Sequence, residues 1–182
     1  MPIEVELRSF ISEQKHAELL LFFKANAEYL GEDFQETFYF GAKEDVRIQR
    51  NNLFSKIWMK KGRLHDECRE EIEIKFDRDD FGKAEQLFAS LGFQVQIKWF
   101  RKRHSFKWDD VAVTLDDTKG YGFIVEIEKL SDEANKDATL KMLQLKFSEL
   151  SIPLSSREEF DKKFQHYKEN WKNIFAEQYV HS

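Results

Sequence analysis

The sequence predicts an α+β protein: an antiparallel sheet of about eight strands, helices beside it, and a helical C-terminal segment. Three observations predict this. Short stretches alternating apolar with charged residues recur from Ile3 to Leu130, the period-two pattern of strands with one covered and one polar face. The joins between most of these stretches are short, which favours antiparallel pairing. At four places the pattern lengthens instead to apolar steps of three and four, the spacing of an amphipathic helix.

The first strand is IEVELR at residues 3 to 8, with Ile3, Val5 and Leu7 on one face and Glu4, Glu6 and Arg8 on the other. SEQKHAELLLFFKANAEYL then reads as a helix from Ser12 to Leu30, with Ala17, Leu20, Leu21, Phe23 and Ala27 as its apolar positions and Gly31 as its stop. ETFYF, DVRIQR, SKIWMKKG and EEIEIKF follow as strands, by alternation or by their β-branched and aromatic content. A helix capped by Asp79 or Asp80 runs to Gly92, with Ala84, Leu87, Phe88 and Leu91 on one side. FQVQIKWFRKRHSFKW, VAVTLDD and YGFIVEIEKL complete the strands, and KKGRLHDE and DDTKGYG are the turns between neighbours. The C-terminal part is helical: DEANKDATLKMLQLKFSEL after Ser131, a break around IPLS, then SREEFDKKFQHYKENWKNIF. In that last helix Ser156 and Glu159 have capping-box spacing. Phe160, Phe164, Tyr167, Trp171 and Ile174 form a stripe whose role is packing.

Composition narrows the function. A chain of 182 residues with 41% hydrophobic content and eighteen Phe suits one domain, 1–182, with a sizeable core. Charged residues make up 35%, yet the formal net charge is only −5. Any polyanion must therefore be met by a local cluster, and nucleic acid is not an expected partner. The longest apolar run, LLLFF at 19 to 23, is far short of the ~20 residues that cross a bilayer, so no membrane partner is expected. With no secretory leader and a single Cys68, the expected location is cytoplasmic. Cys68 has no base nearby to activate it, and His16, His65, His104, His166 and His181 share no ligand spacing, so surface or packing roles are expected of them.

The charged faces of the strands carry the chemistry. Glu126 and Glu128 oppose Val125 and Ile127; Glu71, Glu73 and Lys75 oppose Ile72, Ile74 and Phe76; Arg47 and Gln49 oppose Val46 and Ile48. Lys56 and Lys60 oppose Ile57 and Met59, Asp116 stands in phase with Thr114, and Arg101 shares a face with Arg103. Acids dominate the first, fifth and last strands and bases the third, fourth and sixth. If the sheet curls with this side inward, all these groups share one enclosed volume, where unpaired charges cost several kcal/mol each. Bases hold phosphates, carboxylates repel them, and a divalent ion such as Mg²⁺ or Mn²⁺ reconciles the two by taking oxygens from both. Phosphoryl or nucleotidyl transfer on a polyphosphate is the chemistry implied.

The opening Glu4-Val5-Glu6-Leu7-Arg8 and the stretch LDDTKGYGFIVEIE at 115 to 128, with ETFYF, VRIQ, WMKKG, EEIEI and RKRHSF between them in order, resemble the CYTH superfamily of triphosphate tunnel metalloenzymes. That group includes inorganic triphosphatases, thiamine triphosphatases and class IV adenylyl cyclases. The resemblance implies an eight-stranded antiparallel β-barrel, a tunnel with helices packed outside. It implies that Glu4, Glu6, Asp116, Glu126 and Glu128 ligate one or two Mg²⁺ or Mn²⁺ ions, with Glu4, Glu6, Glu126 and Glu128 at the catalytic centre. It implies that Arg8, Arg47, Lys60, Arg101 and Arg103 clamp the triphosphate, with Lys56, Glu71 and Glu73 lining the tunnel around it. The chain departs from the family pattern at Arg8, where Lys is usual, at Gln49, where a second Arg is usual, and at Phe38, matched to a Tyr of the vertebrate thiamine triphosphatases. It also lacks the His-Phe pair that often precedes the opening in class IV cyclases.

The expected function is divalent-metal-dependent hydrolysis of a small triphosphate: inorganic triphosphate, ATP or thiamine triphosphate. The alternatives are cyclisation of ATP to cyclic AMP and pyrophosphate, or triphosphate binding without turnover. A monomer or homodimer is expected.

Overall fold

The computed structural model describes residues 3–62 and 68–176. Its strands are β1 (Ile3–Ile11), β2 (Glu28–Phe40), β3 (Asp45–Arg50), β4 (Ser55–Lys60), β5 (Cys68–Arg69), β6 (Glu71–Phe76), β7 (Val95–Trp108), β8 (Val111–Thr118) and β9 (Gly122–Ser131). The helices are α1 (Glu13–Asn26), α2 (Phe81–Ser90), α3 (Lys136–Glu149) and α4 (Arg157–Ala176). His65, His181 and most of the turn expected over KKGRLHDE lie outside the described residues.

The strands form one antiparallel sheet in the order β5-β1-β9-β8-β7-β2-β3-β4-β6. β5 and β6 stand at its two ends yet are separated in the chain by Glu70 alone, so the sheet rolls until its edges share one stretch of backbone. β6 pairs with β4 along its length, whereas β5 meets β1 at only two positions, Glu4↔Arg69 and Val5↔Cys68. The wall is therefore barrel-like without being closed by a continuous ladder. With β5 and β6 taken as one interrupted strand, it has the eight antiparallel strands predicted.

Alternation decides what covers the outside. The apolar faces of β1, β8 and β9 put Val5, Leu7, Val113, Val125 and Ile127 into a core with Leu19 and Phe23 of α1 and Leu143 and Phe147 of α3. Each such buried side chain contributes roughly 1.5–3 kcal/mol. On the β2–β3 side, Phe38 and Ile48 pack under Phe81 and Ala84 of α2. The stripe on α4 packs as expected: Phe160 and Tyr167 are buried with Ile97, Trp99 and Tyr121, and Phe164, Trp171 and Ile174 lie against them.

Three local readings are corrected. α1 ends at Asn26, not Leu30: Ala27 turns extended, and residues 28–30 enter β2 to pair with the far end of β7. Gly31 is not the helix stop. It sits with φ +123 at a register shift between Tyr29 and Gly31, the conformation that suits glycine at a bulge. The buried face of α1 is His16, Leu19 and Phe23, while Leu21 is 72% exposed; on α2, Leu87 and Leu91 are likewise exposed and the buried residues are Phe81 and Ala84. The capping box is partly realised, since the Glu159 N–H donates to Ser156 Oγ at 3.1 Å.

α4 is steered across one end of the barrel by its linker. Ser9, on the outer face of β1 and fully buried, donates to Pro153 O at 2.6 Å and accepts from the Ser155 N–H at 3.0 Å. Further along, Tyr167 Oη donates to Lys98 O at 2.9 Å and Trp171 Nε1 to Gln96 O at 2.8 Å. Removing the Ser9 hydroxyl takes away a buried side-chain donor and acceptor and leaves the Pro153 carbonyl and the Ser155 N–H to find other partners. Ser9→Ala is expected to cost about 0.5–1.5 kcal/mol of stability, read by urea unfolding; an unchanged midpoint would show that the linker is held elsewhere.

Candidate functional site

The inner face of the wall is lined by alternate residues of eight strands. β1 contributes Glu4, Glu6 and Arg8, β2 Gln35 and Tyr39, β3 Arg47 and Gln49, and β4 Lys56, Trp58 and Lys60. β6 contributes Glu71 and Glu73, β7 Trp99, Arg101 and Arg103, β8 Asp116 and Thr118, and β9 Ile124, Glu126 and Glu128. They enclose a cavity of about 290 Å³, which Phe160 and Phe164 of α4 line as well. Every charged residue that the family resemblance assigned to the site, Asp116 included, faces this one cavity, whereas Lys75, grouped with Glu71 and Glu73 in the sequence, is exposed and does not line it.

Within it the charges divide into zones. Glu4, Glu6 and Glu128 form a cage in which one oxygen from each lies within 4.8 Å of the others. Lys60 Nζ donates to Glu4 Oε2 at 2.7 Å and lies 3.1 Å from Glu71 Oε2 and 3.5 Å from Glu6 Oε2. Asp116 stands in a second zone: Arg103 grips it with both arms of its fork, Nε to Oδ1 and Nη2 to Oδ2 each at 2.7 Å, and Arg101 Nη1 reaches Oδ2 at 3.1 Å. Glu126 adjoins this zone, with Oε1 3.4 Å from Arg103 Nη2. Of the five carboxylates expected to act together, the structure gathers three and places Asp116 and Glu126 beside arginines. Elsewhere Lys56 pairs with Glu73 at 2.6 Å, and Arg47 is paired with Asp45 and lies 4.2 Å from the Tyr39 ring.

The protonation states follow from this crowding. Burial drives the Glu128 carboxyl up, the neighbouring Glu126 and Glu4 add to the rise, and it is pushed up to about 8. The register adds to the crowding, because Glu6 and Glu128 are directly opposed across β1 and β9. Burial also works to raise Glu4, but the charge and hydrogen bond of Lys60 outweigh it and the carboxyl lies below its ordinary value. Glu71 goes the other way, raised by burial against the pull of Lys60. Burial of Asp116 is likewise overcome by Arg101 and Arg103, and Asp116 is held low.

Several lining residues were not among the sequence candidates. Gln35 accepts from Arg101 Nε at 2.6 Å, and Gln49, buried at the usual arginine position, donates to Thr37 Oγ1 at 2.9 Å. Arg50 points outward to Glu36. The tyrosine comparison at Phe38 is corrected by register: Phe38 lies outside the wall against Phe81, and Tyr39, one residue on, enters the cavity. Strict alternation over β2, which puts Gln35, Thr37 and Tyr39 in phase, was the signal available. Near α4 the cavity turns aromatic, with Trp99 and Tyr121 at 4.5 Å between ring centroids and Arg8 4.8 Å from the Phe160 ring. There Arg8 Nη2, Trp99 Nε1 and Thr118 Oγ1 are buried with no hydrogen-bond partner. The first two can only donate.

Oxygen donors alone, three of them carboxylates at converging distances, fit a hard divalent cation such as Mg²⁺ or Mn²⁺. The remainder of the wall, with its guanidinium and ammonium groups and donor-only orphans, fits an anion rich in acceptors.

Comparison with known proteins agrees with this architecture. The CYTH domain profile matches residues 2–165. A Methanocaldococcus jannaschii protein provisionally named an adenylate cyclase is 32% identical over 163 residues, covering 82% of this chain and 90% of that protein. A solved structure of a conserved hypothetical protein from Pyrococcus furiosus is 27% identical with a TM-score of 0.69, covering 82% of this chain and 91% of that one. A Hippeastrum protein, provisionally named an adenylyl cyclase and described as revealing a dominant triphosphatase activity, is 19% identical with a TM-score of 0.62, covering 87% and 94%; at that identity the likeness is one of fold.

The Glu128 shift predicts a pH signature. The folded protein keeps this proton up to about 8, while the unfolded chain releases it near 4.5, so folding takes up a proton between those values. From this group, stability falls as pH rises through that window and is flat above it. Glu128→Gln removes the effect. Without divalent ions, the variant's melting temperature should exceed that of the wild type by a margin that widens from pH 5 to pH 9, and a pH-independent difference would refute the assignment.

Proposed function

The chain belongs to the CYTH domain family, and from that premise we propose that it is a divalent-metal-dependent hydrolase of small triphosphate compounds, with inorganic triphosphate as the first candidate substrate. The observation that carries the reading is the sharing of one cavity by a three-carboxylate cage and a set of arginines and lysines. A cage alone would suit a structural ion and a basic wall alone would suit any anion, whereas together they suit an anion that arrives with its metal.

In this reading Arg8, Arg47, Arg101, Arg103 and Lys56 hold the phosphate oxygens and fix the chain of phosphoryl groups along the cavity. Arg101 and Arg103 are prepared for this because Asp116 and Gln35 orient their forks before substrate arrives. Such preorganised cations supply positioning and charge stabilisation, the main contributions a protein makes to phosphoryl transfer. Arg8 Nη2 and Trp99 Nε1 find acceptors in the phosphate. Glu4, Glu6 and Glu128 would hold Mg²⁺ or Mn²⁺, with Asp116 and Glu126 across the cavity; the ion, when bound, supplies charge neutralisation and a more acidic water. α4 covers the aromatic end and excludes bulk water there.

A second reading, cyclisation of ATP, is favoured by the adenylate cyclase name of the Methanocaldococcus relative. It needs room for a base, and the aromatic end is occupied by the chain's own Phe160 and Phe164, which supports hydrolysis first. Neither reading needs a nucleic acid or a membrane, and no helix among the described residues is long and apolar enough to cross one.

Purified protein given inorganic triphosphate, ATP or thiamine triphosphate with Mg²⁺ or Mn²⁺ should release orthophosphate, fastest from inorganic triphosphate. Cyclic AMP as the main product from ATP would replace the first reading by the second. Glu6→Gln, which keeps the size of the side chain but weakens the cage, should lower metal-dependent turnover by at least ~10²-fold while the melting temperature stays near that of the wild type. Undiminished turnover would remove Glu6 from the site.

A further inference from the structure

Lys60 stands where a cation is wanted. Its side chain is almost wholly enclosed, and Nζ touches Glu4 and Glu6, two of the three carboxylates of the cage, as well as Glu71 beside them. The carboxylates neutralise this ammonium, which is held charged well above the ordinary lysine range because Glu6, Glu4 and Glu71 outweigh the burial that opposes it. The family resemblance gives Lys60 a phosphate-clamping role; the structure places its Nζ among carboxylates that a divalent ion would need.

Resting on the hydrolase reading above, we propose that Lys60 is a resident counter-ion of the cage: it must withdraw for a divalent ion to be taken up, and the triphosphate is what draws it out. Lys60 and a divalent ion compete for these oxygens, since the same low-dielectric surroundings that strengthen each attraction strengthen their mutual repulsion. Lysine suits the exchange, being a point charge on a flexible stem with three rotatable donors. If it leaves with no new partner, Lys60 becomes an uncompensated buried charge. A phosphate chain lying beside the cage offers it replacement oxygens, so the two binding events help one another. The chain thereby discriminates against free divalent ions and favours the ion together with triphosphate. By linkage the help is reciprocal: triphosphate raises the affinity for the ion by the factor by which the ion raises the affinity for triphosphate.

The test is Mn²⁺ binding without turnover, by calorimetry on the full chain and by electron paramagnetic resonance of free Mn²⁺, with and without the slowly hydrolysed imido analogue of triphosphate. Lys60→Met keeps the stem and deletes the charge. It should bind Mn²⁺ alone at least tenfold more tightly than the wild type, and the analogue should improve its Mn²⁺ affinity by a smaller factor. A lysine that only clamps phosphate would leave the affinity for Mn²⁺ alone unchanged; unchanged or weaker binding overturns the proposal. Should Lys60→Met not fold, as judged by near-ultraviolet circular dichroism, Lys60→Gln serves instead. It keeps a polar side chain beside the cage but deletes the charge and should also tighten Mn²⁺ alone, whereas unchanged or weaker binding overturns the proposal. If the wild type binds no Mn²⁺ even with the analogue present, the metal-dependent hydrolase reading itself falls. If it does bind with the analogue but Lys60→Met gains nothing alone, only the counter-ion role falls.

Discussion

Most ionised groups in the tunnel wall are answered by an opposite charge at hand, because burial leaves little of their surface to be met by solvent. This constraint organises the rest of the structure. Asp116, 3% exposed, survives as an anion because two guanidinium groups converge on it. Lys60 survives as a cation because three carboxylates surround it. Glu128, opposed to one carboxylate across the ladder and close to two more, gives up its charge instead. Breaking any one of these matches strands a buried ion, which costs more than the pair itself contributes.

Such matching demands fixed registers, and the fold provides them by making the outside of the wall as apolar as the inside is charged. A slip of one residue in any strand would expose Val5 or Val125 to the cavity and bury glutamates against helices, so the hydrophobic cores under α1, α3 and α2 lock the charged face into place. Cover is incomplete where it is not needed for this. On β6 no helix of the described residues covers Ile72 and Ile74, which are 47% and 60% exposed, and there the register is kept by the full ladder to β4. The hold on α4 through Ser9, Tyr167 and Trp171 adds the last wall, closing the aromatic end with side chains from the most distant part of the sequence.

The strands and their inner faces could be read from the sequence because period two is unambiguous when charges alternate with aliphatics, as in IEVELR and IVEIEKL. Helix faces were less legible. LLLFF is apolar on all sides of α1, so spacing alone could not say that Leu19 rather than Leu21 turns inward, and His16 on the buried face reads as polar. The end of α1 was hidden for a related reason: nothing local marks EYL as strand, and only the length of β7 across the sheet draws it into β2. In the site, the lining residues were readable but their grouping was not. Whether Asp116 joins Glu4 or Arg103 depends on which strands of a rolled sheet come face to face, a property of no single segment. Tyr39, Trp99 and Tyr121 went unnoticed because aromatics are abundant throughout this chain, and only the closure by α4 distinguishes these three.

Charge balance explains why cage and clamp belong together. Seven carboxyl groups and six cationic groups line the cavity, and with the proton on Glu128 the two signs match. Asp45, just beyond the lining, already answers Arg47 and tips the surroundings slightly negative. A cavity so balanced has no spare positive charge with which to receive a triphosphate, although its arginines have the geometry for one. The anion can enter only if its charge is met from outside, and divalent ions are the compact way to bring that charge to a site already furnished with oxygen ligands. On the hydrolase reading, once they are present the carboxylates no longer need Lys60, the arginines meet the phosphate in the orientation that Asp116 and Gln35 give them, and the proton on Glu128 loses its purpose. On that reading, the charge balance of the tunnel thus argues that metal and phosphate load it as one event, with the ion pairs of Lys60 being what that loading replaces.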